Sequence, residues 1–354
     1  MSFIARPAPL VDFAPKNELG LTLRDYEGGM STLCAGCGHD SVSAAIAQAC
    51  FELSVEPHRA LKVSGIGCSS KTPAYFLRSS HGMNAVHGRM PAIATGAGAA
   101  NRELALLGVS GDGDSLSIGL GQFMHAMRRN LNMVYILENN GVYGLTKGQY
   151  SATAEVGSKK KKGRPNEQQP IDLCALAINL GCTFVARSFS GSKKQLTALL
   201  KAAMAHKGFA LIDVISPCVT FNNNDESYKS YGYVKENEVT LHMPDYIPQR
   251  MPIEEVEVPE GHYVDITLHD GSTIRLETID AEHDPSDAVA ALSALHKADS
   301  EHHHVTGLLY FDGDQPTMHE VLGLPETALV DLDSTQLRPS EDALESVIAA
   351  FRDG

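Results

Sequence analysis

One stretch of this 354-residue sequence, from Leu104 to Ser151, limits the possible folds more than any other. It contains two short, unbroken apolar runs, residues 104–109 and 133–137, separated by a segment with apolar residues at helical spacing. Unbroken runs of this length are typical of strands that are buried on both faces of a parallel sheet. The stretch therefore predicts a strand, a crossover helix and a second parallel strand of an α/β domain.

Each of these predicted strands runs into a polar loop that contains glycine. The first loop reads GDGD at residues 111–114 and the second reads ENNG at residues 138–141. Open α/β sheets bind ligands at the carboxyl ends of neighbouring parallel strands. Glycines let backbone amides approach a diphosphate closely, and Asp112 and Asn140 offer the hard oxygen ligands that suit Mg²⁺. The two loops together predict a site for a magnesium-bound diphosphate.

The amino-acid composition argues against some classes of binding partner. Acidic residues outnumber basic ones by 43 to 29, which gives a formal net charge of -14 at pH 7. This charge argues against general binding to nucleic acid or to anionic membranes. Residues 1–20 lack the apolar segment of a signal peptide, and no run approaches the roughly 18 apolar residues of a membrane span. We therefore expect a cytoplasmic protein without a membrane segment.

The seven cysteines fall into two groups. Four lie on predicted turns: Cys34, Cys37, Cys68 and Cys218. The other three lie in or beside apolar helical runs and are predicted to be core residues: Cys50, Cys174 and Cys182. Four thiolates on irregular segments suit either a [4Fe-4S] cluster or a tetrahedral zinc ion, and their spacing does not separate the two.

The chain divides into three predicted parts. Residues 1–28 form an extended arm or a disordered tail, and residues 29–240 form the cofactor domain, with residues 209–215 as its last strand. Residues 241–354 are acidic and contain prolines, and they predict an accessory segment. Within it, residues 263–277 are predicted to form a hairpin.

The GDG loop, followed by NN whose second asparagine lies 28 positions after the aspartate, is similar to the thiamine diphosphate signature. The continuation YGLTKGQ at residues 143–149 narrows the resemblance. Residues 31–320 resemble the β subunit of a 2-oxoacid:ferredoxin oxidoreductase, closest to the 2-oxoglutarate type. The resemblance implies an α/β fold with a doubly wound, mostly parallel sheet of the thiamine diphosphate-binding kind and a small α+β C-terminal segment.

The resemblance also implies a reaction. Such an enzyme oxidatively decarboxylates 2-oxoglutarate with coenzyme A to succinyl-CoA and CO₂ and passes electrons to ferredoxin, or runs in reverse. It acts with an α subunit, expected in a heterotetramer of two α and two β chains, and that subunit supplies the glutamate that protonates the aminopyrimidine of thiamine.

The sequence also allows other functional hypotheses. Pyruvate or a branched-chain 2-oxoacid is the alternative substrate. A non-redox thiamine diphosphate decarboxylase or synthase would leave the four turn cysteines unexplained. A zinc-stabilised, non-catalytic subunit would leave the GDG and NN loops unexplained.

The resemblance assigns residues to the magnesium and diphosphate sites. Asp112 and Asn140 are expected to bind Mg²⁺ through their side chains, and Val142 through its backbone carbonyl. The residues expected to line the diphosphate or to close the loop around it are Gly111, Gly113, Asp114, Ser115 and Thr146. For Asp114 the alternative is a role as a helix cap.

In this family a [4Fe-4S] cluster lies beside thiamine diphosphate, held by cysteines in CPGCGH, GIGCS and SPC motifs. This sequence matches those motifs at Cys34, Cys37, Cys68 and Cys218, so the resemblance favours the cluster over zinc. Ala35 stands where proline is common, which should change the rigidity of the turn but not the ligation.

For a few charged and polar residues, the sequence allows two alternative roles each. Lys71 either pairs with the distal carboxylate of 2-oxoglutarate or is a surface lysine. His39 and His87 either donate hydrogen bonds near the cofactor or are structural, and Arg89 is an anion contact on the same terms. The lysine run at residues 159–162 predicts a mobile loop, or else a contact with coenzyme A phosphates or a partner.

Overall fold

The computed structural model of this protein describes residues 14–159, 164–251, 262–278 and 283–352. The described strands are β1 (Ala60–Ser64), β2 (His81–Asn84), β3 (Ala105–Gly111), β4 (Met133–Asn139), β5 (Val142–Tyr143), β6 (Gln149–Tyr150), β7 (Phe184–Phe189), β8 (Phe209–Ile215), β9 (Glu238–Thr240), β10 (His242–Ile247), β11 (His262–Thr267), β12 (Thr273–Thr278) and β13 (His304–Phe311).

The described α-helices are α1 (Gly38–Glu52), α2 (Met90–Ala100), α3 (Leu120–Arg128), α4 (Leu173–Asn179), α5 (Lys193–Ala205), α6 (Tyr231–Asn237), α7 (Ala288–Ser300), α8 (Met318–Leu322), α9 (Ser334–Leu337) and α10 (Glu341–Arg352). Short 3₁₀ helices at Leu23–Tyr26, Pro57–Arg59, Ser69–Ala74 and Leu329–Asp331 and a π-helical turn at Gly113–Ile118 connect them. In the part of the chain that the structure describes, no helix is both long enough and apolar enough to cross a membrane.

An eight-stranded sheet in the order β2-β1-β3-β4-β8-β7-β13-β9 forms the centre of the fold. Six neighbouring strands of this sheet pair in parallel: β2, β1, β3, β4, β8 and β7. They are parallel because the chain crosses back to the same edge of the sheet before each new strand begins. β13 pairs antiparallel with β7, and β9 pairs in parallel with β13. The prediction of a mostly parallel α/β sheet is confirmed.

The prediction that residues 209–215 form the last strand of this sheet is wrong. That segment is β8 with the predicted bounds, but β13 and β9 extend the same sheet from later in the chain. Burial explains β13, since Val305, Leu308 and Leu309 are at most 2% exposed. A strand that pairs with a neighbour about 120 residues earlier in the chain leaves no local signal of its place in the sheet.

Helices cover both faces of the sheet. Helices α1 and α5 enclose one hydrophobic core, together with the small antiparallel sheet β10-β12-β11. Helices α2, α3, α4 and α7 enclose the other. Cys50 lies in the first core and Cys174 and Cys182 in the second, which confirms the prediction that these three are core residues. The predicted hairpin is also confirmed, as β11 and β12 pair antiparallel.

Part of the predicted N-terminal arm packs on the chain's own core. Residues 1–13 lie outside the described residues, but Tyr26 is fully buried and its hydroxyl donates to the carbonyl of Val55. The amides of Gly28 and Gly29 donate to the carbonyls of Tyr75 and Ala74. Residues 14–28 therefore form neither a free arm nor a disordered tail.

Candidate active site

Four neighbouring strands bring the predicted functional residues to one edge of the sheet. β1, β3, β4 and β8 are adjacent and parallel, and their carboxyl ends lead to Cys68, Asp112, Asn140 and Cys218 respectively. The loops surround a narrow cleft. Its lining comprises His39, Ile66, Gly67, Cys68, Ser69, Gly111, Asp112, Gly113, Asp114, Glu138, Asn140, Val142, Tyr143 and Gly144.

The carboxylate of Asp112 is fixed by hydrogen bonds and is only 2% exposed. Its Oδ2 accepts from the Gly141 amide at 2.8 Å, from Ser151 Oγ at 2.6 Å and from Thr153 Oγ1 at 2.5 Å. Its Oδ1 accepts from the neighbouring Gly113 amide at 2.9 Å. With Oδ2 held by three donors, Oδ1 is the oxygen better placed to meet a cation.

Asn140 and Val142 lie across the cleft from the GDG loop. Asn140 Oδ1 accepts from the Val142 amide at 3.0 Å, and the Asn140 carbonyl accepts from Asn222 Nδ2 at 2.7 Å. Gly141, between them, has a φ of 75°, a conformation that favours glycine. Together with Asp112, these residues place a carboxylate, an amide oxygen and a backbone carbonyl around one cleft, and this oxygen donor set suits Mg²⁺.

The chain's own packing favours glycine in the GDG loop, most strongly at position 113. A Cβ at position 113 would lie 2.4 Å from Tyr143 Cε1, and one at position 111 would lie 3.0 Å from Ser69 Oγ. The Tyr143 hydroxyl also donates to the Gly113 carbonyl at 2.9 Å. The backbone that follows is a π-helical turn, Gly113–Ile118, with Asp112 as its N-cap. Turns of this kind are frequent at functional sites.

Asp114 and Ser115 turn into the protein. Asp114 accepts from the Gly88 amide at 2.7 Å and from Ser110 Oγ at 2.8 Å, so it ties the GDG loop to the loop before α2 and is not the helix cap. Ser115 Oγ lies 2.6 Å from the Tyr135 hydroxyl. The side chain of Ser115 therefore does not line the cleft, and its backbone amide is what remains available to a phosphate.

The four turn cysteines come from three separate loops. A Cβ at Gly144 would lie 3.4 Å from Cys218 Sγ and 3.5 Å from Cys68 Sγ, so these two sulfurs are within about 7 Å of each other. Cys34 accepts a hydrogen bond from Thr220 Oγ1 at 3.6 Å, close to Cys218 in sequence. Burial raises the pKa of Cys37 to about 12 and also raises the pKa of Cys68. Among the described residues, no group of three or more His, Cys, Asp or Glu side chains is arranged to hold a metal ion.

A buried pair that the sequence did not indicate lies at the floor of the cleft. Glu138, at the end of β4, is fully buried and accepts from Thr72 Oγ1 at 3.0 Å. His39 Nε2 lies 3.6 Å from Glu138 Oε2, and His39 Nδ1 lies 2.6 Å from Ser216 Oγ. Burial raises the pKa of Glu138 well above its usual value and lowers the pKa of His39 to about 4. Both shifts favour the neutral forms, so we describe two neighbouring neutral side chains instead of an ion pair.

The other predicted residues are not among those that line the cleft. Lys71 is half-buried beside Cys68, and its charge opposes the rise in the pKa of that thiol. His87 and Arg89 are exposed on either side of Gly88. Thr146 is exposed and donates to Gln149 Oε1 at 2.5 Å.

Of the lysine run at residues 159–162, only Lys159 is among the described residues. Lys159 pairs with Glu226 at 3.2 Å, both of them exposed, and Lys160, Lys161 and Lys162 lie outside the described residues.

The family model described as the C-terminal TPP-binding domain of thiamine pyrophosphate enzymes matches residues 65–214. The 2-oxoacid:ferredoxin oxidoreductase subunit beta of Sulfolobus sp is 43% identical over 244 residues, which are 68% of this chain and 78% of that protein. The 2-oxoglutarate oxidoreductase subunit KorB of Mycobacterium tuberculosis is 42% identical over 192 residues, 54% of this chain and 51% of that protein.

A solved structure is also similar. It is the 2-oxoglutarate:ferredoxin oxidoreductase from Magnetococcus marinus with 2-oxoglutarate, coenzyme A and succinyl-CoA bound. The likeness has a TM-score of 0.69 at 31% identity and covers 88% of this chain and 92% of that chain.

Proposed function

Because this chain belongs to the family of 2-oxoacid:ferredoxin oxidoreductase β subunits, which depend on thiamine diphosphate, we propose that it acts on 2-oxoglutarate. The proposed reaction consumes 2-oxoglutarate and coenzyme A, yields succinyl-CoA and CO₂, and delivers electrons to ferredoxin, and it is reversible. Two relatives support this substrate, since the KorB protein and the Magnetococcus marinus enzyme are both named for 2-oxoglutarate.

The observation that carries the proposal is that the loop carrying Asn140 also meets two of the thiols, Cys68 and Cys218, at Gly144. Gly144 lies four residues after Asn140 in the loop that follows β4, and it is also the residue that the sulfurs of Cys68 and Cys218 approach. A cofactor bound by the GDG and NN loops would therefore lie beside the thiols. This closeness is what an enzyme needs if it withdraws electrons from a thiamine-bound substrate.

We assign Mg²⁺ to Asp112, Asn140 and the carbonyl of Val142, and the diphosphate to the amides of the loop at residues 111–115. These residues fit the group because their oxygens are buried, converge on one cleft and are of the type that Mg²⁺ prefers. When bound, thiamine diphosphate would supply the carbanion sink for decarboxylation. The residues of this chain would orient the cofactor and exclude water from it.

We assign one [4Fe-4S] cluster to Cys34, Cys37, Cys68 and Cys218. In such a cluster each thiolate binds a different iron, so its ligands need not be as close together as those of a single ion. The separation of up to about 7 Å between the sulfurs of Cys68 and Cys218 is compatible with this arrangement. The cluster would transfer electrons from the active site to ferredoxin.

Lys71 and His39 are the proposed catalytic residues. Lys71, beside Cys68, would pair with the distal carboxylate of 2-oxoglutarate, and His39, in the cleft, would offer a hydrogen bond to the bound substrate. His87, Arg89 and Thr146, which are exposed, are the further proposed contacts of the cofactor. We propose that two α and two β chains assemble in the cytoplasm, with the α subunit completing the site.

Anaerobic purification of the chain with its α subunit tests the proposal. We expect a brown protein with about four irons per β chain, bound thiamine diphosphate, and coenzyme A-dependent viologen reduction at least tenfold faster with 2-oxoglutarate than with pyruvate or branched 2-oxoacids. Lys71→Met should raise the KM for 2-oxoglutarate, while the control Lys159→Met should not. Equal rates with all three substrates would contradict the choice of 2-oxoglutarate, and absent iron would contradict the cluster.

A further inference from the structure

A chain of buried hydrogen bonds leads from Asp112 to an arginine three strands away in the sheet. The chain runs from β3 to β7, and apart from Asp112 and Asn139 its members lie outside the sequence motifs. We name it the Asp112 relay, and its members after Asp112 are Thr153, Asn139, Asp213 and Arg187.

Thr153 makes the first link. Its Oγ1 lies 2.5 Å from Asp112 Oδ2 and 2.8 Å from Asn139 Oδ1, and it is 3% exposed. A threonine hydroxyl has one proton, and here two oxygen acceptors share it. The position of the Asp112 carboxylate is therefore tied to the position of the Asn139 amide.

Asn139 makes the second link. Its Nδ2 donates to Asp213 Oδ1 at 3.0 Å, so the amide spans the step from β4 to the adjacent β8. Both side chains are buried, and Asp213 is fully so. An asparagine bonded at both ends of its amide has a single orientation, with its oxygen toward Thr153.

Arg187 anchors the far end. It faces Asp213 in the β7–β8 register, its Nε donates to Asp213 Oδ2 at 2.7 Å, and its Nη2 donates to Asp172 Oδ1 at 2.9 Å. Asp172 is also the N-cap of α4. A buried carboxylate with an arginine partner of this geometry is held in place, because separating the two would leave a buried charge without compensation.

We propose that Thr153, Asn139, Asp213 and Arg187 are positioning residues that hold Asp112 Oδ2 and so present Oδ1 to the divalent cation. This inference rests on the proposed cofactor site and deepens it. Partners behind a metal ligand usually matter for affinity, and their loss lowers it by about 10 to 100-fold. The rival reading is that the ion pairs only join β7, β8 and α4, in which case their loss would lower stability without moving cation affinity.

The test measures the Kd of Mn²⁺, by electron paramagnetic resonance, on the complete enzyme with its α subunit and saturating thiamine diphosphate. Thr153→Val removes the hydroxyl and keeps the shape, and it should raise the Kd about tenfold. Thr153→Ser keeps the hydroxyl and should stay within about twofold. Asp213→Asn keeps the shape of the next link and should raise the Kd by about threefold to tenfold.

The double variant is the sharper measurement. If the residues act as one relay, Thr153→Val with Asp213→Asn should bind Mn²⁺ no more weakly than Thr153→Val alone, since the link to Asp112 is already broken. Asp265→Asn is the matched control, because it breaks an ion pair with Arg275 in the small antiparallel sheet. It should change thermal stability and leave the Kd as in the wild type.

Two results would overturn the relay. One is an unchanged Kd in Thr153→Val, and the other is a double variant whose fold-change is the product of the two single ones. If the wild-type enzyme binds Mn²⁺ and thiamine diphosphate and the variants give either result, only the relay is refuted. A wild-type enzyme that binds neither refutes the proposed cofactor site, and the relay with it.

Discussion

The candidate active site has an oxygen half, formed by Asp112, Asn140, Ser151 and Thr153, and a proposed thiol half, formed by Cys34, Cys37, Cys68 and Cys218. In the oxygen half, buried donors already surround a carboxylate that is 2% exposed. In the thiol half, Cys34 is exposed and the other three are half-buried, and a hydrogen bond to Cys34 Sγ is as long as 3.6 Å. The oxygen half is therefore organised by the protein itself, whereas the thiol half depends more on what binds there.

The largest effect should come from the thiol half. Cys218→Ala should reduce bound iron from the proposed value of about four atoms per chain to nearly none, because the proposed cluster would lose one of its four ligands. Thiamine diphosphate content should be unchanged, since the oxygen half is held independently. Iron and thiamine analysis of the purified enzyme measures both.

Cys50→Ala is the control for that substitution, since Cys50 lies in α1 and is fully buried in the core. It should cost about 1 kcal/mol of stability and keep its iron. Full iron in Cys218→Ala would remove Cys218 from the ligands, and joint loss of iron and thiamine would show that the two halves are not independent.

The next effect in size concerns the oxygen half. Asp112→Asn keeps the shape of the side chain but removes its charge, so the Kd of thiamine diphosphate in the presence of Mg²⁺ should rise about 100-fold, or about 2.7 kcal/mol. Calorimetry on the enzyme measures it. The exposed Asp299→Asn is the control and should bind as the wild type does. An unchanged Kd in Asp112→Asn would place the cation elsewhere.

A smaller effect should follow from the packing of the GDG loop. Gly113→Ala puts a Cβ 2.4 Å from the Tyr143 ring, so it should lower the free energy of unfolding by about 1 to 3 kcal/mol. Gly121→Ala in α3 meets open space and should raise it by about 0.4 to 1 kcal/mol. Thermal unfolding compares the two. If Gly113→Ala is as stable as Gly121→Ala, the oxygen half is less rigid than its contacts indicate.

The smallest effect should come from the opposite edge of the sheet. His206 is 3% exposed, its Nε2 lies 2.8 Å from Thr183 Oγ1, and burial together with the charge of His269 lowers its pKa to about 3. Its ordinary pKa is about 6.5, so the unfolded chain takes up a proton below that pH and the folded chain does not. Stability should therefore fall as pH drops below 6.5, by about 1 kcal/mol between pH 7 and 5.5.

Denaturant titrations of the wild type and of His206→Asn at these two pH values measure that fall. The variant should lose less stability over the same range. An equal loss in both would assign the acid sensitivity to other groups.

Much of the fold was predictable because its strands carry local signals. The run at residues 209–215 became β8 with the same bounds, and residues 133–137 became the core of β4. Strand ends in a parallel sheet also share an edge, so the meeting of the loops at Asp112 and Asn140 followed from the order of elements.

The rest depended on contacts that sequence patterns do not encode. Ser151 and Thr153 reach Asp112 from 39 and 41 residues away, out of a loop whose composition is ordinary. The pairing of Glu138 with His39 required burial of both residues, and nothing beside either residue in sequence indicates it. Side-chain networks of this kind form only once the sheet has set the distances between loops.

The insertion of β8 between β4 and β7 has a consequence for the order of events during synthesis. A ribosome releases Cys34, Cys37 and Cys68 early, but Cys218 follows β8, so a nascent chain carries three of the four proposed ligands without the fourth. Pairings between segments so distant in sequence slow folding. The proposed four-thiol site is therefore complete only after translation has passed Cys218 and β8 has entered the sheet.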